Sequence, residues 1–234
     1  MIPLYDDVPT RHLPFVTLSI IALCTAVFVW QILGDRAHQA NVIYALGVIP
    51  SVLTGKAHLD PRLVWVPTYA TIFTSMFLHG GWFHLLGNML YLWIFGNNVE
   101  ESMGHGRFIV FYLLCGVIAV LAQSLPNSQS QIPMIGASGA ISGVLGAYLL
   151  LLPRARVLVL IPLGFFFYTA RLPAAIVLAF WFVLQLISSI LAASGQGGVA
   201  FAAHVGGFIS GMALIALFKK RGVRLKNPVT GVAL

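Results

Sequence analysis

Charge is scarce in this sequence. Of 234 residues only 8% are Asp, Glu, Lys or Arg, while 59% are hydrophobic and the mean hydropathy is +0.93. A soluble domain carries about a quarter charged residues, so a water-solvated globule is excluded and most of the chain must lie in lipid. Carboxylates are scarcer still: all six (Asp6, Asp7, Asp35, Asp60, Glu100 and Glu101) fall outside the apolar segments or at their ends. That excludes an intramembrane aspartyl mechanism, which needs two carboxylates buried in the membrane. A zinc mechanism based on His-Glu-x-x-His is excluded too, because His84-Leu85-Leu86-Gly87-Asn88 does not supply the motif. The only cysteines, Cys24 and Cys115, sit inside apolar runs and behave as small hydrophobes. They form no disulfide framework and no paired metal motif. No metal and no cofactor is expected.

What is present is a series of apolar runs. A spanning helix needs roughly 20 mostly apolar residues. Six segments qualify, at roughly 14–33, 82–99, 108–123, 137–152, 173–192 and 200–218. The expected fold is all-α: one polytopic six-helix membrane domain over 1–234, with a basic cytoplasmic tail at 219–234. The stretch 34–81 is mixed. It holds Asp35, Arg36, Lys56, Asp60 and Arg62 beside Val42-Ile43-Tyr44 and Val64-Trp65-Val66. It reads either as an external loop partly embedded in the interface, where Trp65 and Tyr69 are at home, or as a soluble connector.

Basic residues orient the chain. With a cytoplasmic N-terminus, the inner side holds Arg11, Arg107, Arg154, Arg156, Arg171, Lys219, Lys220, Arg221, Arg224 and Lys226, and only Arg36, Lys56 and Arg62 lie outside. Ten against three argues for both termini inside. The net charge of +7 therefore reads as topology signals and affinity for anionic headgroups. No aromatics are interleaved with the basic residues, so nucleic acid is not an expected partner. Asp6 and Asp7 stand where a signal peptide would have a basic region, so no cleavable leader is expected.

Polar side chains inside spans must find partners or face a cavity. The second segment has His84 and Asn88, the fourth Ser138 and Ser142, the fifth Gln185, Ser188 and Ser189, and the sixth His204 and Ser210. Segments two, four and six all start at the outer face. His84 and Asn88 share one helix face, Ser138 opens the fourth helix, and His204 lies about one turn into the sixth. These residues therefore reach a similar depth below the outer surface. Gly139 and Gly143, and likewise Gly207 and Gly211, have the spacing that lets membrane helices approach closely, although such glycines also mark ordinary packing.

The chemistry this suggests is a dyad. Ser138 is the candidate nucleophile and His204 the general base, with no acid available to orient the imidazole. His84, Asn88 and backbone N–H groups near Gly136 are candidates to stabilise an oxyanion, and Gly136 lets the chain turn sharply before the serine. Ser142 and Ser210 read as serines bonded back to their own helices. A site on His79, His84 and His204 for a metal is disfavoured, since no carboxylate or thiolate accompanies them.

Gly136-Ala137-Ser138-Gly139 resembles the nucleophile motif of rhomboid intramembrane proteases, and Ala203-His204-Val205-Gly206-Gly207-Phe208 resembles their histidine motif. Phe77-Leu78-His79-Gly80-Gly81-Trp82-Phe83-His84-Leu85-Leu86-Gly87-Asn88 is similar to the family's second-helix signature. The resemblance runs from about 60 to 218. It implies a rhomboid-like six-helix bundle and a serine endopeptidase that cleaves single-span membrane proteins in or beside their transmembrane segment. The same resemblance implies a Ser138–His204 dyad with His84, Asn88 and the Ser138 amide around the oxyanion. It also implies structural roles for His79 and Glu100, a partly embedded 34–81 loop, and a gate at 173–192 and 193–200, where Gly195, Gly197 and Gly198 would confer mobility. One position departs: some members stack an aromatic residue on the histidine from the place that Ser142 holds here. A silent relative that binds transmembrane segments would lack the serine or histidine, and a transporter would show repeats or mid-membrane charges. The expected location is a bacterial cytoplasmic membrane.

Overall fold

A computed structural model describes residues 1–192 and 200–226; Gly195, Gly197 and Gly198, and the tail beyond 226, lie outside the described residues. Helices occupy the apolar runs and stop at breakers. Strand β1 (Ile2–Asp6) precedes α1 (Phe15–Ile32), which begins directly after Pro14. Helix α2 (Arg36–Leu46) is capped by Asp35, whose carboxylate accepts from the His38 N–H at 2.8 Å, and ends at Gly47. Single turns α3 (Pro50–Leu53) and α4 (Thr71–Thr74) follow. Helix α5 (Trp82–Met103) runs from Gly81 to Gly104, whose φ of +83° suits glycine, and leads into α6 (His105–Ser124). Helix α7 (Ser138–Leu151), strands β2 (Arg156–Leu163) and β3 (Phe166–Pro173), and helices α8 (Ala174–Ala192) and α9 (Phe201–Phe218) complete the order.

By length and composition, four of these helices can cross a membrane: α1, α6, α8 and α9. The chain is therefore a mostly helical, multi-pass membrane protein. Helix α5 is long enough at 22 residues but carries Asn97, Asn98, Glu100 and Glu101 near its end. Helix α7 has only 14 residues, about 21 Å at 1.5 Å per residue, against a hydrocarbon core of about 30 Å.

The all-α expectation needs one correction. Strands β1, β2 and β3 form an antiparallel sheet in the order β1-β2-β3. The β2–β3 turn pairs Leu163 with Phe166 around Gly164-Phe165, with Gly164 at φ +63°, as a two-residue hairpin loop requires. Alternation explains the strand: Val157 and Val159 are buried, while Arg156 and the turn residues are exposed. The sheet brings the N-terminus to the α7–α8 connection. The Asp6 carboxylate anchors it to the helices, accepting from Asn98 Nδ2 at 2.9 Å and from the Tyr148 hydroxyl. Burial holds the Asp6 carboxyl up at about 6, against the hydrogen bond from Tyr148, which pulls it down.

Two glutamates in the last turn of α5 are buried and committed to α1 and its approach. Glu100 accepts from the N–H groups of Val16 (2.9 Å) and Thr17 (2.8 Å) and from Thr17 Oγ1 (2.7 Å), and it also contacts His105 Nδ1 at 2.5 Å. This satisfies orphan donors at the α1 N-terminus. Glu101 accepts from the Arg11 N–H with both oxygens, each at 3.0 Å.

Helix α7 is the hub of the bundle. A side chain on Gly207 would collide with the Gly139 carbonyl, and one on Gly211 with the Gly143 carbonyl, so α7 and α9 meet backbone to backbone. Gly143 also faces Cys115 of α6, where an added Cβ would come within 2.5 Å of the thiol. By contrast, α8 lies at the edge and exposes Ile176, Phe180, Val183 and Leu184 among others.

The 34–81 stretch is a folded unit. Val42, Ala45, Val48, Ile49 and Leu78 are buried, whereas Val64, Trp65 and Tyr69 are exposed. A β-bridge between Val48 and Met134, with N–H···O distances of 3.0 and 2.7 Å, ties it to the chain entering α7.

Candidate active site

The position of Ser138 is set from two sides. Before it, Gly136 adopts φ +121° and donates its N–H to the Ser75 carbonyl at 2.9 Å, which fixes the strand-like approach against the 34–81 unit. After it, α7 begins, and Ser142 Oγ donates back to the Ser138 carbonyl at 2.6 Å. On α9, His204 lies in the first turn. The close α7–α9 contact carries its Nε2 to 2.8 Å from Ser138 Oγ, although the two residues are 66 apart in sequence. Both side chains line an open cleft of about 750 Å³, together with His84, Asn88, Trp181 and Gln185. A cleft of that size suits an extended segment of a ligand.

The oxyanion candidates converge on the same place. His84 Nδ1 accepts from the Gly80 N–H at 3.2 Å, which leaves its Nε2 as the donor. That Nε2 lies 2.7 Å from where a Cβ on Gly136 would be, so glycine is what allows the ring in. Asn88, one turn further along α5, is buried at 8% exposure, and its Nδ2 has no hydrogen-bond partner among the described residues. A buried donor left without a partner costs stability, and this one belongs to a residue that lines the cleft. The amides opening α7 also have no carbonyl one turn back within the helix. The Gly136 N–H itself is committed to Ser75, so its contribution at the site is steric.

His79 stands apart from the cleft. It is fully buried, its Nδ1 lies 3.2 Å from the Phe77 carbonyl, and its main chain exchanges bonds with the Gln31 side chain at 2.8 and 3.4 Å. It joins the 34–81 unit to α1. Among the described residues no group of three or more His, Cys, Asp or Glu could hold a metal.

The sequence reading named no support for the His204 ring. In the structure Gln185 Oε1, from α8, lies 2.7 Å from His204 Nδ1. The rings of Trp181 (5.9 Å between centroids, 40° between planes) and Phe201 (6.3 Å, 87°) lie close to the imidazole. The available signal was a glutamine in a mostly apolar span, but its partner could not be read without the helix rotation.

Comparison with known proteins identifies the family. The chain is 34% identical over 147 residues to RHOMBOID-like protein 1 of Arabidopsis thaliana, covering 63% of this chain and 34% of that protein. It is 32% identical over 193 residues to the human mitochondrial presenilin-associated rhomboid-like protein, covering 78% and 49% respectively. With the Rhomboid protease GluP of Bacillus subtilis the match is 44% over 78 residues, covering 33% of this chain and 15% of that one. The chain thus spans about half or less of the length of these relatives. The Rhomboid domain model matches residues 67–221, which takes in α5 to α9 with Ser138, His204 and the whole cleft, and the chain belongs to the rhomboid family.

Proposed function

We propose that this protein is an intramembrane serine endopeptidase that hydrolyses peptide bonds in or near the transmembrane segments of single-span membrane proteins. The observation that carries the reading is the 2.8 Å approach of Ser138 Oγ to His204 Nε2 in the lining of an open cleft within a membrane protein. Ser138 Oγ attacks the scissile carbonyl carbon while His204 Nε2 takes the hydroxyl proton. The C–O bond forms as the carbonyl π pair moves to oxygen. That oxyanion faces His84 Nε2–H, Asn88 Nδ2–H and the amides opening α7. Collapse breaks the C–N bond, and His204 returns the proton to the leaving amine. A water molecule, deprotonated by the same imidazole, then hydrolyses the acyl-enzyme and regenerates the serine.

The membrane arrangement that suits this chemistry has six spans, α1, α5, α6, α7, α8 and α9, with both termini in the cytoplasm. Its support is the ten-to-three excess of basic residues on one side. Pairing of β1 with β2 is consistent with that topology, since it needs the N-terminus and the α7–α8 connection on one side. The short α7 then starts part-way into the membrane, with Ser138 below the outer surface and the 34–81 unit above it. Exposed Val64, Trp65 and Tyr69 suit a unit that rests partly in the interface. The proposed location is the cytoplasmic membrane of a bacterial cell.

The test is to reconstitute wild type, Ser138→Ala and His204→Ala in liposomes with a single-span substrate and to locate the cut by mass spectrometry. Cleavage in or near the span by wild type alone supports the dyad, as does labelling by an activated fluorophosphonate at Ser138. Equal cleavage by the variants would assign the activity to other residues. A wild type that neither cleaves nor labels would point to a protein that binds transmembrane segments without cutting them.

A further inference from the structure

Among the described residues, Gln185 is the side chain that meets the His204 ring at hydrogen-bond distance besides Ser138, and it comes from a helix that contributes neither dyad residue. An imidazole with a neutral ring has one N–H and one lone pair, and its neighbours decide which nitrogen has which. To take the proton of Ser138, Nε2 must carry the lone pair, so Nδ1 must carry the hydrogen. At 2.7 Å from Nδ1, the carbonyl oxygen of an amide meets that requirement; an amide nitrogen there would impose the opposite tautomer. Among the described residues no carboxylate hydrogen-bonds the ring.

We propose that Gln185 is a positioning residue that sets the His204 tautomer and ring orientation, taking the place a carboxylate holds in a serine triad. This rests on the serine endopeptidase reading above. Its energetic logic fits the surroundings. A neutral acceptor avoids placing an unpaired carboxylate in a membrane helix, where a charge without a partner is costly. The contact also links the dyad to α8, the edge helix: Trp181, one turn before Gln185, leans on the same ring. A displacement of α8 away from α9 would withdraw both the acceptor and the indole, leaving an imidazole free to rotate. The dyad is then fully armed only when α8 is seated.

Two measurements test this. In histidine-15N-labelled wild type in nanodiscs, the His204 signals, identified by their loss in His204→Ala, are expected to show a protonated Nδ1 and a lone-pair Nε2. The reverse tautomer would overturn the proposal, and this readout needs neither substrate nor a Gln185 variant. In proteoliposomes, Gln185→Met keeps the length but removes the acceptor. It is expected to lower kcat roughly tenfold, the rate equivalent of about one hydrogen bond, with KM little changed. Gln185→Glu keeps an acceptor oxygen and is expected to retain most of the rate. If the residue only filled space, the apolar methionine would be the better tolerated of the two, and wild-type kcat in Gln185→Met would sink the idea. Failure of wild type to cleave or label would instead refute the protease reading, while the tautomer measurement would still stand.

Discussion

Gly211 of α9 rests on the carbonyl of Gly143 in α7, so closely that even one methyl group at 211 would overlap main-chain atoms. One turn towards the cleft, Gly207 makes the same contact with Gly139; His204 lies about one turn beyond Gly207, and Ser138 directly precedes Gly139. The separation of Ser138 and His204 is therefore set by a seam of bare backbone. Gly211→Ala is expected to force the helices apart and to destabilise the fold by about 1–3 kcal/mol, as overpacking does. Its signature is joint: a lower unfolding temperature in detergent together with loss of fluorophosphonate labelling at the unaltered Ser138. Normal labelling and stability would show that the seam is more yielding than its geometry implies.

Asn88 should separate activity from stability. Its Nδ2 is buried without a hydrogen-bond partner among the described residues, so the fold gains little from it. Asn88→Ala is expected to leave the unfolding temperature within a few degrees of wild type and to lower kcat by about 100- to 1000-fold, the usual cost of one oxyanion donor. A large fall in stability with kcat preserved would assign Asn88 to structure.

Glu100 predicts the converse. Three donors of α1 converge on its carboxylate, and an amide in its place would turn one acceptor into a donor facing another donor. Glu100→Gln is expected to cost about 3 kcal/mol, read as a lower unfolding temperature at neutral pH. Labelling of Ser138 at low temperature should persist, because the residue lies at the far end of α5 from His84.

Asp6 gives the fold a pH dependence of a definite sign. Burial raises its carboxyl from an ordinary 3.8 to about 6, so the folded protein binds this proton more tightly than the unfolded chain. The resulting stabilisation is complete below about 3.8 and is lost as pH rises through about 6; the two values bound it at about 3 kcal/mol. The difference in unfolding temperature between wild type and Asp6→Asn should therefore change across pH 4 to 7, wild type losing relative stability as pH rises. A constant difference would mean that Asp6 titrates normally.

The apolar runs determined the helices on their own, because a segment that cannot be solvated in lipid must satisfy its backbone internally. The serine and histidine motifs likewise stood out as polar residues in spans that otherwise exclude them. Other features became visible only in three dimensions. A short apolar run such as Val157–Leu163 cannot tell a strand from a buried helical segment, and its partner Ile2–Asp6 lies at the N-terminus, about 150 residues away. Glu100 and Glu101 look like ordinary charges at a helix end, and only the arrival of α1 turns them into buried caps. Gln185 was legible as a polar residue but not as a partner of His204. Which of its neighbours meets the imidazole depends on how α8 is rotated against α9. That rotation is set by packing between surfaces distant in sequence, and no local pattern encodes it.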